Sequence, residues 1–391
     1  MRSVALLAGA LLALAACGGP AKKTNAADLV PADASSLLHV RTAELPRAAA
    51  LLARFPARGT VLRAIPRVPP GAGPELDVAT LAAGRVFYTQ PADEHAFTKR
   101  LDAAGRVHTL MRGWTVFAAR PALLDAVKHR RANLAERPWY AAALATVPLQ
   151  AALRELVPGW RAAALTVHGA AAELEVHRLR APLPQVGSSL AAEVPADAIA
   201  AAGVASARSV PRGAPKLLHE LATALDGEAV GWVRAGVSLP EVTVVSRPVD
   251  AQRALRATAR LIARLTKNPA SVAATLDGVP MRQVANGAID LYYGLVHGEL
   301  IVTDSTAAPG QLGSGTKTLP AVTRLPEATE SWLYVNVRAG LPLAKRFAGL
   351  FDTRVTRSLE TSFAPVRDLL VYASHHDRVA TVVNRIDIGS R

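Results

Sequence analysis

The sequence predicts an α+β fold of two related units, each an antiparallel sheet covered by helices, built by internal duplication. Three observations predict it. The pentapeptide Val30-Pro31-Ala32-Asp33-Ala34 recurs as Val194-Pro195-Ala196-Asp197-Ala198, and a long-period repeat sets the architecture before any local reading does. The same succession of strand, helix, strand and helix follows each copy. Hairpin signals then close both halves, and hairpins belong to antiparallel rather than parallel sheets.

The elements follow in order. Proline fixes the start of a strand and aspartate suits the turn before it, so 37–40 and 199–204 read as strands. Helices are expected over 45–54 and 214–225. The β-branched and aromatic runs 85–89 and 241–245 read as strands. Pro91 with Asp93, and Pro248 with Asp250, lead into helices over 92–103 and 250–265. In the second helix Leu255, Ala259, Ile262 and Leu265 recur at helical spacing, with Asp250 as N-cap. Strands 107–110 and 114–118 flank a turn at Arg112-Gly113. Strands 281–284 and 289–296 flank Asn286-Gly287, a strong hairpin signal, and His297-Gly298 turns the chain again into 300–303. Terminal hairpins are expected at 165–168 with 173–176 and at 370–373 with 379–383. Trp332 to Val337 reads as a further strand. Its first-half counterpart, 147–157, reads as mostly helical.

The chain is thus divided into a signal peptide (1–16), a tether (17–27), a first unit (28–183), a linker (184–190) and a second unit (191–388). Arg2 precedes an apolar run of Val, Ala and Leu that ends in Leu14-Ala15-Ala16-Cys17. A charged start, a short apolar stretch and small residues before the cut are the marks of a signal peptide. Leu, small, small, Cys is the lipobox pattern, which places cleavage between Ala16 and Cys17 and lipid on the thiol of Cys17. Cys17 is the only cysteine among 391 residues, so no disulfide competes for it. Two or more acyl chains, palmitate among them, anchor stably where one binds marginally. Gly18 to Ala27, rich in Gly, Lys and small residues, reads as a flexible tether. The expected location is the extracytoplasmic face of the cell membrane, through lipidated Cys17.

The formal charge is +14. It has two readings: coding bias in a GC-rich genome, or attraction to anionic lipid or anionic wall polymer. The candidate contact face is Arg253, Arg256, Arg260 and Arg264, spaced to share one side of the helix over 250–265. Nucleic acid is not an expected partner, because the basic residues are scattered and no nucleic-acid motif occurs. The sequence names no protein partner.

The pentapeptide, the strand-proline-helix unit and the terminal hairpin over 369–388 together resemble domain-of-unknown-function family 3352, uncharacterised envelope proteins of high-GC Gram-positive bacteria. The resemblance spans nearly the whole mature chain. It implies an envelope location and this architecture, and it brings no catalytic residues.

A search for chemistry returns no catalytic residue, metal ligand or cofactor motif. Ten histidines include His375-His376-Asp377, expected in a solvated turn. Ser314-Gly315-Thr316-Lys317 fits Ser-x-x-Lys of penicillin-binding enzymes, but its glycines disfavour the required helix, and Thr316 spoils the spacing of a phosphate loop. Asp33 and Asp197 occupy equivalent positions and read as turn residues. Trp139-Tyr140 and the pair Trp332 and Tyr334 read as core. The expected function is a non-enzymatic binding or scaffold lipoprotein for a lipid, a wall component or a partner protein. The alternative is a wall-active hydrolase or transferase without a recognisable motif. A mostly apolar groove would favour the first, and a cleft holding two carboxylates, or a Ser within reach of a His, the second.

Overall fold

The structure, a computed structural model, describes residues 25–52, 67–159, 161–206, 210, 216–236, 239–268, 270–287, 289–312, 318–349 and 363–388. Ala16, Cys17 and the 314–317 loop lie outside the described residues. The chain divides into two compact units, Met1–His39 with Val68–Ala141, and Val40–Arg67 with Ala142–Arg391.

In the first unit Asn25 caps the 3-10 turn Ala26–Asp28, whose two alanines are buried, so folded structure has begun by residue 25. The strand Gly84–Thr89 pairs antiparallel with Glu75–Leu81 on one side and Trp114–Ala118 on the other, and the latter pairs with Val107–Met111. Arg112 and Gly113 both take positive φ, 50° and 80°, the condition for a two-residue hairpin turn that follows the strand twist. Asp93 caps the helix Glu94–Ala103 by accepting the Ala96 N–H at 2.8 Å. That helix buries Phe97 against Phe117 (5.8 Å, edge to face), which also stacks on Phe87 at 5.0 Å.

In the second unit thirteen strands form one antiparallel succession. It runs from the hairpin strands Val272–Leu276, Val279–Asn286, Ile289–Val296 and Glu299–Thr303 to Glu241–Pro248, Gly227–Arg234 and Ala200–Val204. It continues through Thr329–Val335, Val366–His376, Val379–Ile388, Ala171–Leu179, Arg161–His168 and Leu153–Val157. Trp232, Trp332, Tyr292, Val245 and Ile301 form its main core. The helices Lys216–Leu225 and Ala251–Thr266 cover one region, burying Leu225 and Ala254 against Leu300, and Ile262 against Tyr293.

The expected fold class is therefore corrected. Among the described residues strand accounts for 41% against 27% helix, and the thirteen-strand succession of the second unit joins strands from both sides of the expected 184–190 linker rather than forming two helix-covered units. The reason lies at strand edges. The last strands of the two expected halves, Ala171–Leu179 and Val379–Ile388, pair with each other from Val379↔Leu179 to Asp387↔Ala171. Each terminal hairpin would otherwise present unpaired N–H and C=O groups, which is unfavourable for an exposed edge. Nor do helices cover this part of the sheet throughout. The face shared by Leu333, Val371, Val382 and Leu174 leaves Leu174 39%, Val382 40% and Leu333 42% exposed.

The segment expected to be helical at 147–157 contains the strand Leu153–Val157 instead. Its partner Arg161–His168 aligns Leu165 opposite Leu153, and this region packs with Ala48 and Ala172. Tertiary pairing overrides the local helix preference of its alanines and leucines.

Candidate functional site

A cavity of about 380 Å³ opens in the second unit. Five pieces of chain form it. The strand Thr329–Val335 brings Tyr334, and Asn336 follows it as N-cap of the helix Val337–Gly349, which brings Arg338. The 3-10 turn Val322–Arg324 supplies Arg324. The strand Val366–His376 supplies Arg367, Asp368 and Leu370, and Val379–Ile388 supplies Arg385 and Asp387. Period-two alternation puts Asp368 and Leu370 on one face. Register then sets Leu370 between Tyr334 and Arg385, and Asp368 opposite Asp387, beside a bulge at 366–368. Ala196, from the second pentapeptide, completes the rim with Leu319 to Ala321.

Four guanidinium groups thus face two carboxylates. Arg367 Nε donates to Asp368 Oδ2 at 3.0 Å, and Arg385 lies 3.6 Å from Asp387. Arg324 and Arg338 are exposed and make no ion pair among the described residues. Arg385 Nε is buried without a hydrogen-bond acceptor among the described residues. Burial pushes the Asp368 carboxyl above its ordinary range, and a hydrogen bond to Asp387, which only a protonated Asp368 can donate, adds to it; Arg367 works in the opposite direction. Burial and then the charge of Asp368 push the Tyr334 hydroxyl upward. On the neighbouring strand Glu173, opposite Arg385, is likewise raised, first by burial and then by Glu175.

Chemically, the cavity carries two more positive than negative groups when both aspartates are ionised, and three more when Asp368 keeps its proton. Arginine forks match carboxylate and phosphate geometry bidentately. The arrangement suits an anion with several oxygens.

Two buried clusters lie elsewhere. In the first unit His39 Nδ1 pairs with Asp77, and the Tyr140 hydroxyl lies 3.4 Å from His39 Nε2. Nearby, burial pushes the Tyr88 hydroxyl upward, and it has no hydrogen-bond partner among the described residues. In the second unit the buried Glu330 carboxylate pairs with Arg180, accepts the Leu183 N–H at 3.1 Å and lies 3.0 Å from His375 Nδ1. Val186 N–H donates to the Thr329 carbonyl at 2.7 Å. Both clusters fix structure: the second ties the stretch around the expected linker to the sheet.

The residues singled out from sequence fall as follows. Arg253, Arg256, Arg260 and Arg264 are all exposed on Ala251–Thr266, away from the buried Ala254, Thr258, Leu261 and Ile262. Arg264 binds Glu220 at 2.5 Å. Asp33 and Asp197 each sit in a turn closed by a backbone bond, Ala34 N–H to Pro31 O and Ala198 N–H to Pro195 O. Asp197 also pairs with Arg234 at 2.7 Å. Asp377 turns the last hairpin at φ 53° and His376 is exposed, but His375 points inward to Glu330. Tyr140 and Trp332 are core, whereas Tyr334 lines the cavity. Among the described residues no group of three His, Cys, Asp or Glu side chains is placed to hold a metal ion, and no helix is long and apolar enough to cross a membrane. Sequence reasoning missed Arg324, Arg338, Arg367, Asp368, Arg385 and Asp387. The alternation of the last two strands was the available signal for four of them.

No protein-family model matches the chain. No curated protein matches it either. Among solved structures it is similar to crystal form I of TP0453 at 9% identity, covering 75% of this chain and 99% of that one, with a TM-score of 0.22. Crystal form III of the same protein gives 9% identity, 73% and 96% coverage and a TM-score of 0.19. Likeness at this level defines neither a fold nor a function for the chain.

Proposed function

We propose that the chain is a lipid-anchored extracytoplasmic protein whose body binds an anionic ligand, a phosphate-bearing lipid or wall component, in the arginine-lined cavity of its second unit. The observation that carries this reading is the convergence of Arg324, Arg338, Arg367 and Arg385 from four separate elements on one cavity whose described lining holds two carboxylates. Exposed arginines are ordinarily spread apart by their own repulsion, and focusing them in a concave wall raises the local concentration of anions. The anchor rests on Leu14-Ala15-Ala16-Cys17. The binding test titrates inorganic phosphate and vesicles containing phosphatidylglycerol against the wild type and against Arg324→Gln/Arg338→Gln. Saturable binding that the double variant loses supports the reading, and equal binding by both overturns it. The anchor test labels cells with an azido fatty acid; Cys17→Ser must abolish labelling of this protein.

A second reading has its own observation. Asp368 and Asp387 face each other within the cavity, and Asp368 is raised above the ordinary range. A carboxylic acid beside a carboxylate is the minimum equipment for general acid–base hydrolysis. Release of product from a phosphodiester or glycosidic substrate, lost in both Asp368→Asn and Asp387→Asn, would select this reading over simple binding.

A further inference from the structure

We infer that the first unit holds a second binding site for the same class of ligand, a phosphate-type anion. The inference rests on the anionic-ligand reading of the cavity in the second unit.

The two copies of the pentapeptide do the same local work. Each closes its turn by the same backbone bond, and each makes an isolated antiparallel bridge to a later segment, Pro31↔Asn133 and Pro195↔Thr318. The flanking bonds also correspond: Leu134 N–H to Val30 O, and Leu319 N–H to Val194 O, both 2.9 Å. In the second unit the cavity begins beside this bridge, at Ala196 and Leu319. In the first unit a cavity of about 460 Å³ begins beside the matching bridge, with Ala32 and Asp33 on one side and Ala132 on the other.

Its wall is basic. Arg130, Arg131 and Arg137 line it with His129, and Asp33 is the one carboxylate among its described lining residues. Arg130 is held in place by neutral acceptors: Nη1 donates to Val127 O at 2.8 Å and Nη2 to Asp28 O at 2.9 Å. Its charge is therefore fixed at the wall and cancelled by no carboxylate. It also takes up the carbonyl of Val127 near the C-terminus of the helix Pro121–Lys128, where the helix dipole would otherwise repel an anion. Arg131 and Arg137 are exposed and make no ion pair among the described residues, and Asp33 makes none either. Leaving His129 aside, three arginines against one aspartate leave two positive charges among the described residues, the same excess as in the other cavity with both aspartates ionised.

The experiment counts sites. The purified full chain in non-ionic detergent is titrated with inorganic phosphate by calorimetry. In parallel, its capture by phosphatidylglycerol vesicles is measured against capture by neutral vesicles. The expected result is two equivalents of phosphate for the wild type, one for Arg131→Gln/Arg137→Gln, one for Arg324→Gln/Arg338→Gln and none for the fourfold variant. If vesicles containing phosphatidylglycerol capture the chain while free phosphate does not bind, the ligand is a headgroup, and the same variants must then weaken capture in two steps. Asp33→Asn supplies a change that a misfolded variant cannot imitate: it removes the opposing charge and should tighten the first-unit site roughly fivefold. One equivalent in the wild type, unchanged by Arg131→Gln/Arg137→Gln, overturns the inference and leaves the other cavity standing. Two equivalents of which Arg324→Gln/Arg338→Gln removes none overturns the reading of the other cavity instead.

Discussion

Asp368→Asn should tighten anion binding and remove the part of its pH dependence that Asp368 causes. A sphere of about 380 Å³ has a radius of roughly 4.5 Å, so a ligand centred in the cavity lies about 5 Å from the carboxylates on its wall. At that distance one unit charge is worth about 0.8 kcal/mol in bulk water and about 3 kcal/mol at an effective dielectric of 20. The cavity is open to solvent but the Asp368 side chain is only 15% exposed, which places the effect between these limits, at about 1–2 kcal/mol, or roughly five- to thirtyfold in Kd. The full gain is seen at a pH high enough to ionise Asp368 in the wild type. As pH falls through the raised range of Asp368, the wild type takes up the proton and gains affinity toward that of the variant, whose profile keeps the titration of phosphate itself but lacks this component. The sign for stability agrees. A carboxyl whose folded pKa lies above its unfolded value binds protons more tightly when folded, so its ionisation lowers stability as pH rises through that range. Phosphate titrations at several pH values, with urea unfolding alongside, read both effects. Weaker binding by Asp368→Asn, or a pH profile parallel to that of the wild type, refutes the electrostatic argument.

Gly203→Ala should destabilise the second unit by about 1–3 kcal/mol. A Cβ at Gly203 would lie 2.2 Å from Trp332 Nε1, whose buried ring cannot retreat; an unchanged urea midpoint followed by tryptophan fluorescence would contradict this. Glu330→Ala leaves the Leu183 N–H without its acceptor and Arg180 without its ion pair. Arg180 is 43% exposed and can turn to water, so about 2 kcal/mol is expected, roughly a thirtyfold rise in the opened population, seen as faster proteolytic cleavage around residues 180–190. Changing Arg253, Arg256, Arg260 and Arg264 to Gln should lower vesicle binding at low salt and have little effect at high salt, because their charges are exposed and screened; salt-independent loss would point to a folding defect.

Much of the local structure was legible in the sequence. Asp250 caps the helix it was expected to cap, and Asp93, expected within a helix starting at 92, caps one that starts at Glu94. Gly113, Gly287 and Gly298 sit at positive φ in the turns read from their dipeptides. These features depend on neighbours in sequence, and short-range chemistry decides them. The misreadings share one physical cause, pairing between segments far apart in the chain. Strand 153–157, Leu-Arg-Glu-Leu-Val, has no apolar alternation to announce it, and its partner selects its state. The contact of Ala171–Leu179 with Val379–Ile388 is absent from any local pattern. The cavity falls between these cases. Counting outward from the turn at Asp377 pairs Asp368 with Asp387, so the facing carboxylates were readable from the hairpin. Arg324 and Arg338 were not, since only the tertiary path of the chain brings their segments to the same cavity.

The charge of +14 acts differently in different places. Arg234 with Asp197, Arg247 with Glu299 and Arg264 with Glu220 are paired locally; each pair is neutral at a distance and worth little as an exposed contact. Arg253, Arg256 and Arg260 stand on a convex helix face, where salt screens an anion beyond about 8 Å. They can add to attraction once the body is near an anionic surface, but they offer no geometry to select one ligand over another. The cavities differ in kind. There the cations converge, the walls limit water, and a guanidinium such as Arg130 is fixed by backbone acceptors without losing its charge. Concavity with fixed donors converts net charge into preference for a particular anion. A test of function that varies only total charge would therefore sample the helix face and miss the cavities, whereas variants that leave the total equal, such as Arg253→Gln/Arg256→Gln against Arg324→Gln/Arg338→Gln, separate general attraction from binding at a built site.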